Sequence, residues 1–224
     1  MTTESKIYWS VGILSAFLII SAFFSPDDPK RNDDLPWYIE HPTADAVRVF
    51  GLTLGKSTTN EAELRFKEEA KPSLFKSPDG KMVVEIFFEQ VILAGLPSKI
   101  VLTIDVPEAQ LKGMYERGLR MASTGSGKKI TMTADDIAML RTYPISSLTY
   151  LPNLRLDDAI FLKRFGQPAQ RVQEKETGLV HWLYPQNGLD ITLGKGMKPL
   201  LQFVPPGNFD KLVRPLMANG EVLK

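Results

Sequence analysis

The chain of 224 residues contains no cysteine and only two histidines, His41 and His181. Without cysteine there is no disulfide framework, no thiol nucleophile and no thiolate metal site. The two histidines are far apart in the sequence, which therefore offers no local set of ligands of the kind that binds zinc. We expect no metal and no other cofactor.

An excess of charge of either sign is also absent, since 27 lysines and arginines balance 26 aspartates and glutamates. No stripe of basic residues with interleaved aromatics appears, which makes nucleic acid an unsuitable partner. We also expect no small-molecule substrate.

Motifs that bear catalytic chemistry are lacking as well. The acidic pairs Asp135-Asp136 and Asp157-Asp158 stand where helices are expected to begin, and acidic residues there bind free amides and complement the helix dipole. Residues 123–129 (STGSGKK) lack two of the positions that define a phosphate-binding loop, and we expect a flexible loop there. The sequence therefore predicts no catalytic residues and no enzyme.

Long hydrophobic runs are scarce, and residues 7–24 form the one that stands out, with 18 residues free of charge and proline. At about 1.5 Å per residue a helix of this length spans roughly 27 Å, close to the roughly 30 Å hydrocarbon core of a bilayer. We predict that residues 1–24 form an uncleaved, single-pass transmembrane anchor. The residues assigned to it are Ile7, Trp9, Leu14, Phe17, Leu18 and Phe24.

Two alternatives to the anchor are a cleaved secretory signal and a buried soluble helix. A signal has an apolar core of about 7–15 residues and ends at a small-x-small site, whereas this run is longer and ends in Phe23-Phe24. Lys6 precedes the run and Lys30-Arg31 follow it, so the positive-inside rule slightly disfavours export. Long C-terminal parts are nevertheless translocated largely regardless of charge. We therefore place the protein in a bacterial inner membrane, with its C-terminal part in the periplasm.

The anchor is followed by a segment that cannot form a core. Residues 25–36 (SPDDPKRNDDLP) carry three prolines and six charges, a composition typical of an extended linker. We predict a stalk over residues 25–45, a first α+β module with a helical insertion over 46–150, and a second module with a C-terminal tail over 151–224.

Period-2 alternation of apolar and polar residues predicts strands within both modules, joined by short turns as in antiparallel meanders. The spacing of apolar residues over 111–122 predicts a helix, and Thr133 is placed to cap another. The predicted strands cover residues 82–88, 99–106, 189–193 and 200–204.

An internal repeat relates the two modules. Residues 52–54 and a segment ending at Phe66 match residues 154–156 and a segment ending at Phe165. A Thr-x-x-Glu capping box at residues 58–61 favours a helix in the first copy, where alternation alone would suggest a strand. The fold class expected is α+β: an N-terminal transmembrane helix followed by two helix-plus-antiparallel-sheet meander modules.

Three short motifs of the second copy carry a family resemblance: Phe-Gly-Gln-Pro at 165–168, Trp-Leu-Tyr-Pro at 182–185 and Gly-Leu-Asp-Ile at 188–191. This copy resembles the SmpA/OmlA family, the small lipoprotein of the outer-membrane barrel-assembly machinery. It is also similar to each half of the β-lactamase inhibitor protein, a tandem repeat. The chain departs from the lipoprotein pattern because it has an apolar run in place of an acylated cysteine. The resemblance implies protein-binding modules and not an enzyme.

Leu179, His181 and Leu183 share one face of a predicted strand whose other face is apolar too. Either the first module or a partner protein is expected to cover this candidate partner-binding face. The function expected is a non-enzymatic, membrane-anchored periplasmic protein-binding module, an accessory subunit or assembly factor that binds another membrane or envelope protein. The alternative is a secreted or anchored inhibitor of a hydrolase, and the third choice is an uncharacterised envelope enzyme.

Overall fold

A computed structural model describes residues 32–223 of the chain. The predicted transmembrane anchor, residues 1–24, and the first part of the predicted stalk lie outside the described residues. Within residues 32–223, no helix combines the length and the apolar character needed to cross a bilayer.

Strands dominate the described part of the chain. The strands are β1 (Glu40–Thr43), β2 (Ala46–Val49), β3 (Leu52–Thr53), β4 (Lys71–Lys76), β5 (Met82–Leu93), β6 (Leu96–Ile104), β7 (Arg120–Thr124), β8 (Gly127–Thr131), β9 (Ile145–Pro152), β10 (Gln170–Glu174), β11 (Val180–Tyr184), β12 (Leu189–Leu193), β13 (Leu200–Phe203) and β14 (Gly220–Leu223). The α-helices are α1 (Thr59–Phe66), α2 (Glu108–Glu116), α3 (Ala134–Leu140), α4 (Asp158–Phe165) and α5 (Phe209–Asn219).

Eleven of these strands form one antiparallel sheet in the order β14-β10-β11-β12-β13-β9-β6-β5-β4-β8-β7, and β1–β3 form a small second sheet. The expected α+β class with two separate modules is therefore wrong. Strand β9 pairs with β6 on one side and with β13 on the other, so the two meanders share one sheet. The physical reason is that each meander alone would end in an edge of unpaired amides and carbonyls, and pairing across β9 satisfies both edges.

The repeat seen in the sequence has a structural counterpart on each side of β9. The helix predicted in the stretch 58–70 is confirmed and covers residues 59–66, and the capping box of Thr58 and Glu61 is formed. At the end of this helix the ring of Phe66 lies 5.2 Å from that of Phe88 on β5. In the second half, Phe165 at the end of α4 lies 5.7 Å from Tyr184 on β11. Each helix thus ends with an aromatic ring packed on the second strand of the meander that follows it.

One face of the large sheet is covered by α1–α4 and the small sheet. The residues responsible belong to one continuous apolar core, into which α1 contributes Ala62 and α4 contributes Phe161. Phe50, between β2 and β3, lies 4.9 Å from Tyr150 on β9 and 6.3 Å from Phe203 on β13, measured between ring centroids. The small sheet therefore lies over the junction of the two halves.

The second part of the predicted stalk, residues 32–45, is folded in the structure. Strand β1 pairs with β2, Pro36 is buried, and the Trp37 ring lies 4.7 Å from the guanidinium of Arg164 on α4.

Residues 117–131 differ from the helix and loop expected there. Helix α2 ends at Glu116, and β7 and β8 form a hairpin that adds two strands to the edge next to β4. A Cβ at Gly118 would lie 2.4 Å from a methyl carbon of Ile130, so the chain passes too close to β8 for any other residue. The last two residues of the apolar spacing that suggested a longer helix, Gly118 and Ala122, lie in the turn after α2 and on the exposed strand β7.

Strand β5 is longer than the sequence pattern indicates because a bulge interrupts its alternation. The register with β6 shifts between Phe88 and Val91, and both side chains point into the core. The carboxylate of Glu68 accepts hydrogen bonds from the two bulge amides, at 2.7 Å from the nitrogen of Glu89 and 2.9 Å from that of Gln90. The bulge amides are therefore satisfied without a partner strand.

Candidate functional site

The three residues of the candidate partner-binding face lie at and just before β11, and two of them are buried. Leu183 is 2 % exposed and His181 8 %, while Leu179 is half-buried. The cover is helix α5, which neither expected alternative included. Leu183 lies in a second, smaller apolar cluster with Val172, Val204, Phe209 and Val213.

His181 lies between two carboxylates on this covered side of the sheet. Its Nδ1 is 2.8 Å from Oδ2 of Asp190, and its Nε2 is 3.1 Å from Oε1 of Glu174. The β11–β12 register explains the first contact, since it sets Leu183 opposite Asp190 and His181 opposite Thr192. Asp190 is therefore the diagonal neighbour of His181 on the same face.

The two carboxylates favour the charged form of the imidazole. Burial would lower the pKa of His181, but the hydrogen bond and charge of Asp190, followed by those of Glu174, outweigh burial and raise this pKa above its ordinary value. The pKa of Glu174 is lowered, first by the hydrogen bond from Thr177 and, against burial, by that from His181. Two carboxylates and one histidine leave the trio net negative whether the imidazole is charged or neutral.

This geometry does not activate a nucleophile. A histidine that serves as a general base needs one ring nitrogen free to accept a proton, and both nitrogens of His181 bind carboxylates. The hydroxyl of Thr192, 3.3 Å from Nδ1, shares that nitrogen with Asp190. In the part of the chain that the structure describes, no group of three or more potential ligands could bind a metal ion.

Beside the trio, helix α5 and the sheet border a cavity of about 470 Å³ that is open to solvent on one side. Asp190 lines it, and its Oδ1 is buried and has no hydrogen-bond partner. The side chain of Gln202, directly opposite Asp190 on β13, lines it as well. The apolar wall of the cavity consists of Leu212, Val213, Pro215 and Leu216 of α5.

The rest of this side of the sheet carries no helix within residues 32–223. Antiparallel pairing aligns one row of outward-facing residues across seven strands, with α5 over one end only. This row is Lys71, Phe87, Val101, Thr149, Gln202, Asp190 and Leu183. We call the uncovered part of this side of the sheet, defined by Phe75, Phe87, Val101, Thr149 and Leu151, the open face; these five side chains are half-buried.

Basic side chains accompany the aromatic rings of the open face. The ammonium of Lys99 lies 5.6 Å from the ring centroid of Phe87, and that of Lys129 lies 5.8 Å from that of Phe75. Glu85 faces the same side, and burial raises the pKa of its carboxyl. Of these side chains, the aromatic rings of Phe75 and Phe87 belong to the residue types that are enriched at protein interfaces.

The acidic pairs of the sequence occupy helix starts as predicted, although their roles differ. Thr133 accepts a hydrogen bond from the amide of Asp136, while the Asp136 carboxylate binds Arg117. Asp157 stands at the cap position of α4 without a side-chain capping bond.

The sequence analysis missed Asp190 and Glu174 as partners of His181. A signal for Asp190 was present, because the tight turn that ends at Gly188 fixes which residues of β11 and β12 face each other. No comparable signal existed for the cavity, which depends on α5.

Comparison with known proteins gives no relative: no family model, no curated protein and no solved structure matches this chain.

Proposed function

We propose that this protein is a non-enzymatic, membrane-anchored protein-binding module, an accessory subunit or assembly factor that uses its open face to bind another protein of the bacterial envelope. The proposal places residues 7–24 in the inner membrane and the folded part in the periplasm.

The observation that carries the proposal is the asymmetry of the sheet. One face is covered by four helices and the small sheet, whereas the other has α5 over one end and leaves the open face to solvent among the described residues. From β4 to β9 the open face is roughly 14 Å wide at about 4.8 Å per strand spacing. A protein partner is large enough to cover it.

The chemistry of the open face indicates what kind of partner fits. Phe75 and Phe87 supply aromatic anchors of the type that dominates binding energy, and Lys99 and Lys129 stand over their rings. A partner surface with an apolar centre and carboxylates around it would complement this arrangement.

The resemblance to the SmpA/OmlA family and to the β-lactamase inhibitor protein supports the same class of function. Both ring nitrogens of His181 contact carboxylates, so neither is free to act as a general base. This supports a binding role over a catalytic one.

The test is co-purification of the full-length chain in mild detergent from the cells that produce it. We expect one companion protein in a fixed ratio, lost on Val101→Lys, which sets a charge in the middle of the open face. The matched control is Leu64→Lys, because Leu64 lies on α1 and is 73 % exposed on the other side of the sheet. Circular dichroism establishes that both variants fold.

Two results would contradict the proposal. One is a wild-type chain that purifies without a companion from membranes. The other is a folded Val101→Lys variant that keeps its companion as fully as Leu64→Lys does. Recovery of the full-length chain in the soluble fraction after carbonate washing would separately contradict the anchor.

A further inference from the structure

The cavity under α5 contains a charged group whose hydrogen bonds are incomplete. Each carboxylate of the trio has two oxygens, and three of these four have partners: Oδ2 of Asp190 and Oε1 of Glu174 bind His181, and Oε2 of Glu174 binds Thr177. The fourth, Oδ1 of Asp190, has none, although the side chain is only 7 % exposed.

A buried carboxylate oxygen without a donor is unfavourable, because folding removes it from water and gives nothing in return. The histidine does not relieve this, since both of its N–H groups are already directed at Oδ2 of Asp190 and Oε1 of Glu174. Because Asp190 lines the cavity, a donor that enters the cavity and reaches this carboxylate would complete its hydrogen bonds.

The charge at the site favours a cationic donor. The trio of His181, Asp190 and Glu174 is net negative whether or not the imidazole is charged, and the remaining charged groups of the lining, Lys175 and Glu176, cancel each other. A cationic ligand would therefore offset the negative charge of the cavity.

The remaining lining indicates the shape of the ligand. Gln202 lines the cavity directly opposite Asp190, and its side-chain amide carries an oxygen that can serve as a second acceptor. Leu212, Pro215 and Leu216 form an apolar wall opposite the sheet. A volume of about 470 Å³ lies within the range of small-molecule pockets, roughly 300–1,000 Å³.

We propose that this cavity binds a primary alkylammonium group, with the ammonium donating to Oδ1 of Asp190 and to Gln202 and the alkyl chain lying against α5. The group belongs either to a free small amine or to a lysine side chain of another polypeptide. The site is separate from the open face, and the proposal does not depend on a partner binding there.

The test is isothermal titration of the full-length chain in a nonionic detergent with n-butylammonium chloride, combined with NMR observation of the His181 ring nitrogens. We expect saturable binding that shifts these resonances, because Asp190 contacts both His181 and the ligand. The uncharged isostere 1-butanol should bind at least tenfold more weakly.

Variants separate the site from general effects of charge. Asp190→Asn should weaken butylammonium binding at least tenfold, and its control is Asp210→Asn, an exposed carboxylate on α5 outside the lining. Because Asp190→Asn also disturbs His181, a second variant, Leu216→Trp, fills the cavity without touching a charged group and should abolish binding too.

Nα-acetyl-lysine methylamide distinguishes the two sources of the ammonium. Binding of this compound as tight as that of butylammonium supports a lysine side chain of a polypeptide, and binding of butylammonium alone supports a free amine. The proposal is overturned if neither compound binds saturably, or if the Asp190→Asn and Leu216→Trp variants, both folded, bind butylammonium as the wild type does.

Discussion

Arg117 and Asp136 form an ion pair in which the acid is buried and the base is half exposed. The guanidinium Nη2 lies 2.6 Å from Oδ1 of Asp136, and the side chains are 51 % and 2 % exposed, respectively. Thr133 donates a second hydrogen bond to Oδ2 at 2.9 Å. Burial would raise the pKa of Asp136, but the hydrogen bonds from Arg117 and then Thr133 outweigh it and lower the pKa.

Because the pKa of Asp136 is lowered, its contribution to the free energy of unfolding depends on pH. A carboxyl with a folded-state pKa below its unfolded value of about 3.9 stabilises fully above that value and loses its effect as the pH falls through the folded-state pKa. We expect Asp136→Asn to lower the free energy of unfolding by about 1–3 kcal/mol at pH 7, with a smaller difference from wild type at pH 3. Urea unfolding at several pH values measures this. The neighbouring exposed Asp135→Asn is the control, and equal effects of both variants would contradict the prediction.

His181 should give the opposite dependence on pH. Its pKa is raised in the folded protein, so its stabilisation is full below the ordinary value of about 6.5 and disappears as the pH rises through the folded-state pKa. Urea unfolding between pH 6 and 9 should show stability falling with pH, and His181→Gln should remove that slope. Since the chain has one other histidine, His41→Gln is the matched control. An NMR titration that finds the His181 pKa at or below 6.5 would refute this.

The cover that α5 provides can be tested at Leu183. Leu183→Ala deletes buried methyl groups from the second apolar cluster and should cost about 2–5 kcal/mol of unfolding free energy. Leu64→Ala, at a leucine that is 73 % exposed, should cost less than about 0.5 kcal/mol. Equal midpoints for the two variants in urea would show that α5 does not pack on β11.

The aromatic contacts at the ends of α1 and α4 predict which alanine substitution lowers the free energy of unfolding more. Phe66 is buried against Phe88, so Phe66→Ala should cost about 3–5 kcal/mol. Phe165 is only half-buried against Tyr184, and Phe165→Ala should cost less than Phe66→Ala does. Lys163→Ala, on the exposed side of α4, is the control for helix propensity. Thermal unfolding of the three variants checks the order, which would be refuted if Phe66→Ala were no worse than Lys163→Ala.

Local patterns in the sequence were sufficient to predict several elements. The alternation around Ile100, Leu102 and Ile104 gives β6, and those residues are buried as the period requires. The caps at Thr58 and Thr133 mark the starts of α1 and α3, because a hydroxyl that binds a free amide acts within one turn.

The features that the sequence did not predict are of two kinds. Some depend on contacts between residues distant in sequence, and others break the local pattern expected of a helix or a strand. Helix α5 contains Pro215, which argues against a helix, yet burial of Phe209 and Val213 against the sheet stabilises it. The bulge at Glu89 and Gln90 interrupts the alternation of β5. It is tolerated because the Glu68 carboxylate accepts the two amide hydrogen bonds that a partner strand would otherwise accept. The sequence of β9 does not indicate which strands it pairs with. Its pairing with β6 and β13 depends on tertiary contacts between segments that are distant in sequence.

Strand β9 also determines what the two copies of the repeat have become. A repeated unit that forms an independent domain can be removed without unfolding the other unit. Here each copy uses β9 to close its own open border, and removal of either half would leave a row of unpaired backbone groups ready to join another molecule. The two halves therefore depend on each other for folding, and a chain cut at β9 would expose a sheet edge that favours aggregation.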